Sequence, residues 1–227
     1  MSIFRKLQLV SGLACGFFLF LHVLTVASLV VDPGAFDQVL FTFRQVYRPS
    51  EFGEALLVWT PLTLHLLASL GVAFERRQAP ERASLSLRWL RWSGTLLLVL
   101  LGGHVLVARI LPAVEGYSAA ASYLAFGFEN WPWGMIPYYL LIALAGAFHA
   151  GMGASVALGA LGVLRGSERL RLITGFTWTG LLALALLLGT CRVMVEAPNM
   201  DPTYYSSYQR LYEHNLPWLH ARNPRVR

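Results

Sequence analysis

The sequence has few charged residues for its length. Asp, Glu, Lys and Arg make up 13% of its 227 residues, whereas a soluble domain carries about 25%. Hydrophobic residues make up 56%, and the mean hydropathy is +0.54. One core cannot bury that much apolar surface, so the composition excludes an ordinary soluble enzyme and indicates a protein solvated by lipid.

Lysine and cysteine are also scarce. Lys6 is the only lysine, so the formal net charge of +6 comes from arginines that lie between apolar runs. This placement is typical of contacts with lipid headgroups, and we expect no nucleic-acid partner. Cys15 and Cys191 lie inside apolar segments without a CxxC or CxxCH motif. Their placement argues against a disulfide framework, a zinc ribbon and a covalently attached haem.

Five apolar runs are long enough to cross a bilayer, which takes about 20 helical residues. They are Leu7–Val31, Ala55–Phe74, Trp92–Ala108, Trp131–Leu164 and Leu172–Cys191. None alternates apolar and polar residues as barrel strands do. The sequence therefore predicts an all-α integral membrane bundle of five transmembrane helices. Residues 1–197 would form the membrane domain, and residues 198–227 an extracytoplasmic C-terminal tail.

The basic residues predict the orientation of these helices. Ten lie at the N-terminus and in the second and fourth loops: Arg5, Lys6, Arg76, Arg77, Arg82, Arg88, Arg91, Arg165, Arg169 and Arg171. Three lie in the short loops on the other side: Arg44, Arg48 and Arg109. Because short cytoplasmic loops are enriched in arginine and lysine, we expect a cytoplasmic N-terminus and an extracytoplasmic C-terminus.

Each of the first four apolar runs contains one histidine: His22, His65, His104 and His149. At about 1.5 Å per residue, His22 and His104 lie roughly 15 and 12 Å from the outer ends of their runs. On the same scale, His65 and His149 lie roughly 21 and 24 Å from theirs. Two levels with two imidazoles each are what two bis-histidine haems in a helix bundle require. The first four helices are therefore predicted to form a four-helix bundle that binds two haem b groups.

Small residues precede two of these histidines at equal spacing. Ser11-Gly12 precedes His22 by ten residues, and Ser93-Gly94 precedes His104 by ten. A flat macrocycle between helices needs small residues where it approaches the backbone. We therefore expect these glycines to border the haems, together with their neighbours Gly16, Gly102 and Gly103.

The segments around the histidines resemble the cytochrome b membrane anchor of succinate dehydrogenases and fumarate reductases, in its single-chain form with two haems. The matching segments are SGLACGFFLFLH around His22, HLLASLGVAFERR from His65, WSGTLLLVLLGGH around His104, FHAGMG from His149 and APNMDPTYYSSYQR in the tail. The resemblance covers nearly the whole chain.

This resemblance implies a place in a succinate:quinone oxidoreductase (complex II) of a bacterial cytoplasmic, or inner, membrane. A flavoprotein subunit and an iron–sulfur subunit would be its partners, beside membrane lipid and further copies of the complex. His65 and His149 would hold the inner haem, His22 and His104 the outer one. Electrons would pass to or from a quinone, with menaquinone as the expected species. The chain alone is not expected to act on succinate, and either direction of catalysis remains open.

Two further sets of polar side chains are candidates for contacts with the cofactors. The candidates for haem propionates are Gln8, Arg48, Arg77, Arg88, Trp92 and Arg165. The resemblance also implies a quinone site near the outer haem, where proton transfer needs an acid at the membrane edge. The candidates there are Asp37, Glu51 and Glu54, with Arg44 and Tyr47 in the same loop. Each of these carboxylates also fits a solvated loop.

Two other functions remain open at this point. One is the cytochrome b subunit of a hydrogenase or formate dehydrogenase, although one ligand per helix fits that type less well. The other is a transporter with the histidines as metal or proton sites. A transporter of that kind predicts acidic residues beside the histidines within the runs, and the sequence has none there.

Overall fold

The computed structural model describes residues 2–78, 84–114, 116, 120–163, 167–196, 208–210 and 213–214. All regular secondary structure in these residues is helical. The helices are α1 (Ile3–Ser28), α2 (Pro33–Tyr47), α3 (Glu51–Gln78), α4 (Leu85–Val114), α5 (Ala121–Asn130), α6 (Pro132–Ala160) and α7 (Glu168–Glu196).

Five of these helices, α1, α3, α4, α6 and α7, are long and apolar enough to span a membrane, as predicted. The helices continue past several of the predicted ends. Helix α3 begins at Glu51 rather than Ala55, and α4 runs from Leu85 to Val114. As a result, Arg109, which the sequence analysis placed in a loop, lies inside a helix.

Short polar side chains cap the starts of four helices. Ser2, Asp32, Ser50 and Ser84 each accept a hydrogen bond from a backbone N–H three residues ahead. Such side chains replace the partners that the first turn of a helix lacks. Pro33 follows Asp32 at the first position of α2, where its missing N–H costs nothing.

The first four long helices form two antiparallel pairs. Helix α1 packs along α3, where Gln8 Nε2 donates to Ser69 Oγ at 2.9 Å. Helix α4 packs along α6, where the Tyr138 hydroxyl donates to the Leu100 carbonyl at 2.7 Å. Helices α1 and α6 also pack on each other and join the pairs, and α7 lies along α6. Helices α1 and α4 are therefore diagonal to each other, as are α3 and α6.

Helices α2 and α5 form a cap over one end of the bundle, which we call the cap end; the other end, where α1 begins, is the N-terminal end. Phe36 and Leu40 are buried on one face of α2, four residues apart, as an amphipathic helix requires. They belong to one apolar core with Leu29, Ala121, Tyr123, Ala125, Phe126, Phe128, Val193 and Tyr208. This cap was not predicted, since residues 32–54 were interpreted as a loop.

The predicted C-terminal tail is described only in part. Tyr208 packs against Tyr123 of the cap, with 5.3 Å between ring centres, and accepts a hydrogen bond from the Ser122 hydroxyl at 3.4 Å. This stretch of the tail therefore lies at the cap end. Most of residues 198–227 lies outside the described residues.

Candidate functional site

The four histidines of the long helices meet in two pairs, each across a diagonal of the bundle. The ring centres of His22 on α1 and His104 on α4 are 5.9 Å apart, with 70° between the ring planes. Those of His65 on α3 and His149 on α6 are 6.2 Å apart, with 80° between the planes. These are the pairs that the counted depths predicted.

The separation within each pair suits one metal ion between two imidazoles. A metal–imidazole bond is about 2.0 Å long, and with about 1 Å from each nitrogen to its ring centre, two centres on opposite sides of one ion lie about 6 Å apart. The observed separations, 5.9 and 6.2 Å, match this value. Both pairs therefore have the spacing that two imidazoles holding one metal ion would need.

Each pair offers only two protein ligands. Within the part of the chain that the structure describes, no group of three or more His, Cys, Asp or Glu side chains is arranged to hold a metal ion. A zinc site needs three or four protein ligands, whereas haem iron takes four ligands from its macrocycle and needs only axial ones. The residues present therefore fit haem better than a bare metal ion.

The ring of His65 lies against a polar surface of α1 formed by Gln8, Ser11 and Gly12, which we call its seat. Its Nδ1 is 3.1 Å from the Gln8 carbonyl oxygen and 3.5 Å from the Ser11 hydroxyl. A Cβ added to Gly12 would lie 3.0 Å from Cε1 of the ring, which is tighter than nine in ten contacts of real Cβ atoms. The absence of a side chain at position 12 therefore makes room for His65.

His149 lies in a matching seat on α4. Its Nδ1 is 3.1 Å from the Leu90 carbonyl oxygen and 3.3 Å from the Ser93 hydroxyl. A Cβ on Gly94 would lie 2.8 Å from Cε1 of the ring. The two Ser-Gly pairs thus receive imidazoles of the facing helices, whereas we had expected their glycines to border a macrocycle.

The other predicted glycines divide into two kinds. A Cβ added to Gly16 or Gly102 would meet nothing within 4 Å. One added to Gly103 would lie 3.2 Å from the Tyr138 hydroxyl. Gly16 and Gly102 therefore border open space, and their contact with a macrocycle stays a prediction.

The surroundings of the His22–His104 pair are aromatic. Phe18 stacks on His22 with 5.9 Å between ring centres, and Tyr139 meets His104 edge-on at 5.9 Å. Phe18 in turn meets Tyr47 edge-on at 5.1 Å. Unlike Nδ1 of His65 and His149, Nδ1 of His104 is buried without a hydrogen-bond partner among the described residues. The two pairs therefore lie in chemically different surroundings.

Glu54 is the centre of a charged cluster at the cap end. Its carboxylate is buried and accepts from Arg109 Nε at 2.6 Å and from Arg109 Nη2 at 2.7 Å. Arg48 Nε lies 2.9 Å from the same carboxylate. Glu54 is therefore not a solvated loop carboxylate, and it connects α3 to α4.

Both helices widen next to this ion pair. Residues Ala55–Trp59 of α3 and Leu106–Ile110 of α4 each form a π-helical turn. Such turns insert a residue into a helix and often occur at functional sites. Here the first follows Glu54 directly and the second contains Arg109, so the two insertions lie at the joint between α3 and α4.

The other quinone-site candidates have separate environments. Asp37 accepts a hydrogen bond from the Ala121 N–H at 2.8 Å and so caps α5. Burial raises the pKa of the Asp37 carboxyl, opposed by the Ala121 N–H and by Arg44. Burial likewise raises the pKa of the Tyr47 hydroxyl, opposed chiefly by Arg44. Glu51 is exposed at the start of α3.

The propionate candidates are dispersed. Gln8 lies directly beside His65. Arg77, Arg88 and Trp92 are exposed near the N-terminal end, and Arg48 lies at the cap end with Glu54. Arg165 lies outside the described residues. A propionate contact for any of these residues stays a prediction.

Three residues of the site were missed by reasoning from the sequence. They are Phe18, Tyr139 and, as the partner of Glu54, Arg109. Arg109 had a usable signal, because it is a charge next to a long apolar run and such a charge needs a partner. The two aromatic residues had none, since aromatic side chains are common throughout this chain.

Comparison of the chain with protein-family models, with curated proteins and with solved structures finds no match in any of the three.

Proposed function

We propose that the chain is the dihaem cytochrome b membrane anchor of a succinate:quinone oxidoreductase. The observation that carries this proposal is the presence of two histidine pairs on the diagonals of one bundle, each with the separation that two imidazoles holding one haem iron would have. The resemblance of the segments around these histidines supports the choice of partner enzyme. The chain would carry electrons between an iron–sulfur subunit and a membrane quinone.

The four histidines would hold the haems, and the residues around them would orient the rings and exclude water. Haem, when bound, supplies one-electron redox chemistry. His22 and His104 would hold one group, His65 and His149 the other, and the apolar helices would exclude water from both. The carbonyls of Gln8 and Leu90 orient the second pair of rings.

The cap end is where we place the quinone site. Tyr47 contacts Phe18, and Phe18 stacks on His22, so this part of the cap adjoins the His22–His104 pair. Reduction of a quinone consumes protons, and the raised pKa of Asp37 makes it a better proton donor near neutral pH than an exposed carboxyl. The Arg109–Glu54 pair would stabilise this edge of the site.

The N-terminal end is where we place the partner subunits. Lys6, Arg77, Arg88 and Arg91 are exposed there. A basic surface of this kind favours both anionic headgroups and a docked protein. With this end in the cytoplasm of a bacterial cell, the iron–sulfur subunit would face the His65–His149 pair.

A reduced-minus-oxidised spectrum of the purified chain, produced with ample haem, tests the proposal. We expect b-type bands and two haems per chain. A chain without such bands would contradict haem binding altogether. Co-expression with the flavoprotein and iron–sulfur subunits of a succinate dehydrogenase then tests the partner. Co-purification with succinate:quinone activity supports complex II, whereas haem bands without this partnership favour another quinone-linked enzyme.

A further inference from the structure

The seats of His65 and His149 are two copies of one arrangement. In each seat a helix provides a backbone carbonyl, a serine three residues later and a glycine directly after the serine. The copies are Gln8, Ser11 and Gly12 on α1, and Leu90, Ser93 and Gly94 on α4. Both put the carbonyl oxygen 3.1 Å from Nδ1 of the facing ring.

The carbonyl determines which ring nitrogen carries the proton. A carbonyl oxygen only accepts hydrogen bonds, so a bond at 3.1 Å requires a proton on Nδ1. The serine hydroxyls donate within their own helices, Ser11 to the Leu7 carbonyl at 2.6 Å and Ser93 to the Leu90 carbonyl at 3.0 Å. Their oxygens therefore face Nδ1–H as further acceptors. Both rings keep the lone pair on Nε2, which is the nitrogen left to bind a metal.

We infer that these two seats hold His65 and His149 as matched Nδ1–H tautomers and thereby lower the reduction potential of the group bound between them. The second half of this inference rests on the proposed function. An acceptor on Nδ1–H orients a ligating imidazole and raises its basicity. A more basic ligand stabilises ferric iron against ferrous iron, so the one-electron potential falls.

The His22–His104 pair provides an internal comparison. Nδ1 of His104 is buried without a hydrogen-bond partner in the described part of the chain, and Tyr139 meets the ring edge-on. Backbone carbonyls therefore contact Nδ1 of both rings in the His65–His149 pair. Among the described residues, His104 of the other pair has no such acceptor. A change in the seats should act on one level only.

The tautomers can be measured without haem. Nitrogen NMR of the full chain in detergent, labelled with ¹⁵N in the histidine side chains and prepared without haem, reports the protonation of each ring nitrogen. We expect Nδ1 protonated and Nε2 unprotonated for the two signals that disappear in the variants His65→Asn and His149→Asn. Protonation on Nε2 at either residue would overturn the inference, whatever the chain binds.

The effect on potential is tested with glycine variants of the haem-loaded chain. Gly94→Ala and Gly12→Ala place a Cβ 2.8 and 3.0 Å from the rings. Since such contacts are too close, we expect the rings to shift and their hydrogen bonds to the carbonyls to lengthen. Disturbing such outer contacts changes metal affinity by about tenfold; a loss of that size confined to the ferric form shifts a one-electron potential by about 59 mV. We expect one of the two potentials to rise by this amount and the other to stay. Gly180→Ala on α7, with nothing within 4 Å of its Cβ, should change neither.

The outcomes separate this inference from the proposed function. If both haems bind but no potential moves, or if both move together, the inference is wrong and the cytochrome assignment stands. If the unmodified chain binds no haem, the proposed function fails, and the NMR result alone decides the tautomers. Gly12→Ala, with the looser contact, serves if Gly94→Ala does not bind haem.

Discussion

Arg109 on α4 donates hydrogen bonds to both carboxylate oxygens of Glu54 on α3, at 2.6 and 2.7 Å. The two helices pack mainly on other partners, α3 on α1 and α4 on α6. The ion pair therefore joins α3 directly to α4, and so joins the α1–α3 pair of helices to the α4–α6 pair. Its two-point geometry is the strong form of an arginine–carboxylate contact.

Replacing Glu54 should loosen this connection. Breaking a fully buried pair costs about 3–5 kcal/mol, but the Arg109 side chain is 29% exposed, so we expect Glu54→Gln to lower the unfolding free energy by about 2 kcal/mol. Thermal unfolding in detergent measures the effect. Glu51→Gln, three residues earlier and exposed, is the matched control and should be neutral. Equal unfolding midpoints for the two variants would contradict the role of the pair.

The pairing of the histidines makes a second prediction, which depends on haem binding. His22→Ala and His104→Ala should remove one and the same haem, and His65→Ala and His149→Ala the other, because the ring centres lie only 5.9 Å apart in the first pair and 6.2 Å apart in the second. Haem content should fall from two to one per chain, and variants of one pair should leave the same spectrum. If His22→Ala and His65→Ala leave identical spectra, the pairing is wrong.

Asp37 should make stability depend on pH. Burial raises the pKa of its carboxyl above the ordinary value of 3.8, so folding favours the protonated form. The stability from this group is complete below pH 3.8 and is lost as the pH rises through the raised pKa. Asp37→Asn keeps an oxygen for the Ala121 N–H and does not titrate, so its advantage over the unmodified chain should grow with pH.

Unfolding midpoints measured from pH 4 upwards check this dependence. Asp37→Ala is the companion variant: it does not titrate either but loses the hydrogen bond to Ala121, so it should be about 1 kcal/mol less stable than Asp37→Asn at every pH. A difference between Asp37→Asn and the unmodified chain that does not vary with pH would show that the carboxyl titrates as an exposed one.

Depth along a helix could be predicted from the sequence, because the rise per residue is fixed. Counting from Asp32 and Pro112 was enough to match His22 with His104, the pair that the structure brings to 5.9 Å. Which helices are neighbours is not encoded in a single run. The function of Gly12 and Gly94 depends on the packing of α1 on α3 and of α4 on α6, so the spacing was recognised but not its cause.

The cap was missed for a different reason. Residues 32–34 read Asp-Pro-Gly, which is typical of a turn, and only two buried positions, Phe36 and Leu40, mark the apolar face of α2. That face becomes recognisable only when it is seen to share one core with Phe126 and Tyr208, which are far away in the sequence. Long-range burial of this kind cannot be derived from local periodicity.

The predicted orientation of the bundle can be tested by cysteine labelling. In a chain with Cys15 and Cys191 replaced by alanine, a cysteine at the exposed position 51 should react with a membrane-impermeant thiol reagent added outside intact cells. A cysteine at position 6, also exposed but at the N-terminal end, should react only after the cells are opened. The basic residues around Lys6 are the physical reason. The reverse labelling pattern would invert the predicted orientation.

Alanine variants of Gly16 and Gly102 test whether a haem fills the open space beside these two glycines. A Cβ at either position meets nothing within 4 Å, and alanine favours a helix by about 0.5–1 kcal/mol over glycine, so both alanine variants should stabilise the haem-free chain. If a macrocycle occupies the space beside them, the same variants should bind less haem. Gly180→Ala, with equally open surroundings on α7, should gain the same stability without losing haem. Full haem content in all three variants would show that the macrocycle lies elsewhere.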